Sequence, residues 1–123
     1  MSQLPFAPFV PAVNTQRLIW RGASGARYEF LLYPIGVHFF PNPGVYIFCK
    51  RAPNGDYDAV YIGEAESFEE RLTHRLANHH QWPSICAARA THIAVLHVPG
   101  ELALREAIET DLRRLIKTPC NRQ

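Results

Sequence analysis

At 123 residues, 47% hydrophobic and 20% charged, the chain has the length of one domain and enough apolar material to bury a core, which excludes a disordered polymer. No run approaches the roughly 18 uninterrupted apolar residues of a membrane span, and Met1-Ser2-Gln3-Leu4-Pro5 lacks the basic start of a secretory leader, so a cytoplasmic protein with no membrane partner is expected. A net charge of +2 permits nucleic acid as a partner without demanding it.

Residues 1–14 form a proline-rich arm, with Pro5, Pro8 and Pro11 between apolar residues. Regular structure is disfavoured there, and the arm is apolar enough to lie on the domain, on a protein partner or on a second copy. Gln16–Trp20 and Ala26–Leu32 flank Gly22-Ala23-Ser24-Gly25 and read as a β-hairpin. Pro34 to Pro43 is a connector. Val45-Tyr46-Ile47-Phe48-Cys49 is a continuous apolar run suited to a buried strand. Pro53-Asn54-Gly55-Asp56 is a turn signal, and Ala59 to Gly63 is the returning strand. With Asn54-Gly55 at the centre of a two-residue turn, Phe48 faces Tyr61 and Tyr46 faces Gly63. Tyr46 and Tyr61 then become diagonal neighbours on one face of the sheet.

Ser67 and Glu70 have capping-box spacing, which starts a helix at Phe68. Phe68, Leu72 and Leu76 give its apolar stripe, flanked by Arg71, His74 or Arg75, and His79. Pro83 and Ser84 open a short helix over 84–89, Thr91–Val98 reads as a strand, and a long helix runs from about Glu101 to Ile116. Leu104, Ile108, Leu112 and Leu115 supply the core face of that helix, with Glu109 at its edge. Cys49, Cys86 and Cys120 are odd in number and widely spaced, which favours reduced thiols over a disulfide framework. His74, His79, His80 and Cys86 have no compact metal-ligand spacing, so zinc on that set is disfavoured.

Gly44-Val45-Tyr46 and Tyr61-Ile62-Gly63 form one hairpin, Arg71 follows eight residues after Gly63, and Asn121 lies 12 residues after Glu109. Taken singly, each has an ordinary explanation: a tyrosine packs in a core, an arginine is solvated, and Glu109 pairs with Arg105 or Arg113 at helical spacing while Glu106 rivals it. In this order they resemble the GIY-YIG nuclease superfamily over about residues 41–121, in pattern the N-terminal incision domain of the excinuclease C subunit. The resemblance implies an α/β (α+β) fold with a small central β-sheet flanked by helices. Residues 1–40 would add an arm and an extra N-terminal β-hairpin to a nuclease-like unit over 41–123.

It also implies a metal-dependent endonuclease that hydrolyses DNA phosphodiesters, with RNA as the other candidate substrate. Glu109 would hold Mg²⁺, with Mn²⁺ as a substitute. Arg71 would bind the phosphate, and one of Tyr46 and Tyr61 would help activate water. Gly63, His74, Arg75 and Asn121 would line the substrate side, with Gly63 admitting phosphate or water close to the backbone and Asn121 tying the tail to the site. Two positions depart from the pattern. Glu64 stands where relatives often carry a basic or hydroxyl residue, and would either repel phosphate or bind a second cation. Arg75 stands where relatives often have Tyr or His, with His74 one position earlier. The competing expectations are a nucleic-acid-binding module without turnover and a protein-interaction domain built around the arm.

Overall fold

The computed structural model describes residues 15–121. The proline-rich arm, with the protein or dimer contact expected of it, lies outside the described residues. Five strands form one antiparallel sheet: β1 (Gln16–Arg21), β2 (Arg27–Pro34), β3 (Gly44–Arg51), β4 (Tyr57–Ala65) and β5 (His92–His97). Their order is β1-β2-β5-β3-β4. The first hairpin therefore joins the same sheet as the tyrosine hairpin, through β2 against β5. Two helices, α1 (Trp82–Ala87) and α2 (Leu102–Leu115), accompany the sheet. The fold is a mixed α+β domain. Among the described residues no helix is long and apolar enough to cross a membrane.

Strand β3 lies between β5 and β4 and is buried on both faces, which explains its unbroken apolar run. Tyr46 and Phe48 point into one core layer with Tyr61, Phe68, Leu72 and Ile85. Val45, Ile47 and Cys49 point into the other, against Phe30, Ile62 and Leu112. Phe39 and Trp82 pack on the first layer.

Three local expectations are corrected. The β3–β4 turn closes with Arg51 opposite Tyr57 and Cys49 opposite Ala59, a register one residue away from that of a two-residue turn. Its loop is longer because Gly55 adopts a positive φ of 92° and donates to Ala52. A β-bulge between Phe48 and Cys49 then restores Phe48 opposite Tyr61 and Tyr46 opposite Gly63. The helix begun at Phe68 does not continue to His79. It widens into a π turn over Glu70–His74, closed by Arg75 N–H donating to the Glu70 carbonyl at 2.9 Å. Ser67 still caps it, its Oγ accepting from Glu70 N–H at 3.2 Å. On α2, Leu104 and Leu115 are half exposed, and Arg105 takes the buried position expected of leucine.

Candidate active site

The hairpin, the π turn, α2 and the chain end each contribute one part of a polar centre at the β4 edge of the sheet. Tyr46 and Tyr61 share a face, with ring centroids 6.1 Å apart. Gly63 permits this arrangement. A Cβ there would stand 2.6 Å from the Tyr46 Oη and 2.9 Å from the Tyr61 ring. The close approach that requires glycine is thus made by the two tyrosines.

The two hydroxyls differ in access. Tyr46 is wholly buried, whereas Tyr61 keeps 8% of its surface. Arg71 Nη1 donates to Tyr46 Oη at 3.4 Å and to the Glu64 carbonyl at 3.5 Å. His79 Nε2 lies 2.7 Å from the same Oη. The tautomer of His79 follows from its other nitrogen, because Nδ1 accepts the Gln81 backbone N–H at 3.0 Å. Nε2 therefore carries the proton and donates to Tyr46. With two donors on its oxygen, Tyr46 has its own proton left for the Tyr61 oxygen, an interaction that favours ionised Tyr61.

Burial nevertheless holds both phenols protonated. The Tyr46 pKa is raised above its ordinary value, by desolvation first and the neighbouring Tyr61 second, against the pull of Arg71. Tyr61 is raised by burial and then by the Glu109 charge, with Arg113 and Arg71 opposing. His79 is lowered to about 4 by burial, by His80 and by Arg71, so it is neutral at pH 7.

Glu109 faces this centre from α2, half-buried, while Glu106 is exposed. Desolvation raises its pKa, Arg113 opposes, and the Glu64 charge adds to the rise. The hydrogen bond it accepts from Arg113 Nη1 is long, at 3.5 Å. Glu64 is held by Arg105, whose Nε donates to Oε1 at 2.8 Å from a nearly buried side chain. This pairing partly offsets the Glu64 charge, which still acts on Glu109. Asn121 bridges the chain end to β4: it accepts from Ile62 N–H at 2.7 Å and donates to the Ile62 carbonyl at 2.9 Å. Thr118 Oγ1 also donates to its oxygen. These bonds tie the C-terminal segment to β4, the positioning role that the pattern implies for Asn121.

An open cleft of about 870 Å³ adjoins the centre, lined by Arg71, Arg75, His79 and His80 with Glu66 and Glu70. Of the two candidates after Arg71, Arg75 therefore joins the site. His74 turns instead toward Glu69, at 3.7 Å. The residue that sequence reasoning left on a helix flank is His79. The π turn and the following 3₁₀ turn (Leu76–Asn78) carry it to Tyr46, and regular helical spacing does not forecast that. Arg105 did carry a signal: it precedes Glu109 by one helical turn, so the two share a face.

Comparison with protein-family models, curated proteins and solved structures gave no match.

Proposed function

We propose that this chain is a GIY-YIG-type endonuclease that hydrolyses DNA phosphodiesters with the help of Mg²⁺, or of Mn²⁺ in its place. The observation that carries this reading is the grouping of Tyr46, Tyr61 and the half-buried Glu109 with Arg71, which also lines the cleft together with Arg75. Glu109 fits the metal. Its carboxylate is desolvated and weakly partnered, and a hard cation accepts one carboxylate together with waters and phosphate oxygens. When bound there, the ion supplies Lewis acidity for the phosphate and the leaving oxygen.

The protein's own groups divide the remaining work. Arg71 brings five N–H donors, of which the internal contacts use only Nη1, so it also binds a phosphate in the cleft. Tyr61 is the tyrosine that meets water, because Tyr46 has no exposed surface. Tyr46 aligns Tyr61 and is itself fixed by His79 and Arg71. Three free thiols support the cytoplasmic setting.

The test is cleavage of labelled duplex, single-stranded, flap and branched DNA, beside RNA, with Mg²⁺, Mn²⁺ or EDTA. Metal-dependent cutting by the wild type is expected to vanish in Glu109→Ala while binding persists. Normal cutting by Glu109→Ala would refute the site. Salt-dependent binding with no cutting of any substrate would favour the module without turnover.

A further inference from the structure

We propose that His38, Glu69 and His74 form a binding site for one transition-metal ion of the zinc type, separate from Glu109. The three side chains come from two segments. His38 lies on the connector between β2 and β3, and Glu69 and His74 lie on the helical turn that carries Arg71. His38 Nε2 is 3.0 Å from Glu69 Oε2, and His74 Nε2 is 3.7 Å from the same oxygen. The three ligand atoms all lie within 4.8 Å of one another. Tetrahedral zinc bonds of 2.0–2.2 Å place ligand atoms about 3.4 Å apart, within the range of these spacings.

The π turn makes the set. Residues 69 and 74 are five positions apart, which in an α-helix separates them by about 140°. The wider turn, with its i→i+5 bond from Arg75 to Glu70, brings them onto one side. This set differs from the linear run of His74, His79, His80 and Cys86, of which it uses only the first member.

Ligand chemistry selects the metal. Two imidazoles with one carboxylate favour Zn²⁺, Ni²⁺ or Cu²⁺ over Mg²⁺, which prefers oxygen ligands. Both histidine side chains are more than half exposed, which leaves water a way to the remaining coordination position. The ion would staple the connector to the Arg71 turn. Phe39 N–H to Thr73 Oγ1, at 2.8 Å, and Glu69 N–H to the Phe40 carbonyl, at 3.0 Å, already join the same segments.

The experiment is calorimetric titration of the metal-free full chain with ZnCl₂, alongside the visible spectrum of the Co²⁺-loaded protein. One equivalent is expected to bind, with four-coordinate Co²⁺ bands and a higher melting temperature. His38→Ala and His74→Ala should each weaken binding at least about tenfold, while His80→Ala and Glu109→Ala leave it unchanged. Metal-free melting curves check that the variants are folded, as their exposed positions predict. Absence of saturable binding overturns the proposal. So does binding that survives either His38→Ala or His74→Ala, or that is lost equally in His80→Ala. Metal binding and melting are the readouts, so the result is independent of whether the chain cleaves DNA.

Discussion

At the scale of single residues, the two tyrosines share a motif but not an environment. Tyr46 Oη receives His79 and Arg71 inside the core, whereas Tyr61 reaches the surface beside His80 and feels the Glu109 charge. Tyr61→Phe is therefore expected to lower cleavage by about 10²-fold or more, with a smaller stability cost than Tyr46→Phe because it orphans one buried donor, the Tyr46 hydroxyl. Tyr46→Phe leaves two buried donors facing no acceptor and is expected to cost about 1–3 kcal/mol of stability. Parallel measurement of rate and thermal unfolding separates them, and full activity in Tyr61→Phe would reassign the water contact. His79 adds a pH dependence. Its folded pKa of about 4 lies below the ordinary 6.5, so the unfolded chain takes up the proton first as the solution is acidified. Stability is therefore expected to fall between about pH 6.5 and 4, by roughly 2–3 kcal/mol from this group. His79→Gln keeps a donor for Tyr46 but does not titrate, so urea midpoints at pH 7, 5.5 and 4.5 should show a shallower acid decline.

At the scale of elements, the strands were legible because their signals are local. Turn residues placed both hairpins, and the unbroken run marked β3 as buried. The diagonal tyrosine pair was also anticipated, although by compensation: a longer Gly55 turn shifts the register and the bulge after Phe48 shifts it back. The helical segments were less legible. Nothing in the spacing of Phe68, Leu72 and Leu76 announces a π turn, because its wider winding depends on the tertiary packing of the connector. On α2, leucine periodicity favoured Leu104 and Leu115 as core, but the buried face follows Arg105, Ile108 and Leu112. Arg105 is buried there because Glu64 on β4 needs a countercharge. Arg105→Met should leave Glu64 unpaired beside Glu109, with about 3–5 kcal/mol lost. It should also move the acid limit of cleavage upward, since the Glu64 charge already raises the Glu109 pKa. The Glu64→Gln/Arg105→Met pair should recover most of the stability, and a double-mutant cycle on unfolding measures this coupling.

At the scale of the whole molecule, α2 and the chain end hold the two extremities of the sheet in relation to the site. Asp111 on α2 accepts from the Ser24 N–H, the Ser24 hydroxyl and the Tyr28 hydroxyl, which fastens the N-terminal hairpin to the helix that bears Glu109. These bonds hold its pKa below the ordinary carboxylate value. At the opposite edge, no strand among the described residues pairs beyond β4, and Asn121 supplies both a donor and an acceptor to Ile62, between Tyr61 and Gly63. Arg113 connects the two devices by reaching both Glu109 and the Asn121 carbonyl. A residue that closes the sheet edge and one that grips DNA predict different outcomes for Asn121→Ala. Edge closure predicts faster hydrogen exchange at the Ile62 amide and about 1–3 kcal/mol less stability from two lost hydrogen bonds. It also predicts unchanged DNA affinity in a Glu109→Ala background, where binding is measured without turnover. Direct DNA contact predicts weaker affinity with Ile62 exchange intact. The geometry commits Asn121 to the first, because both functions of its side-chain amide already meet the Ile62 backbone.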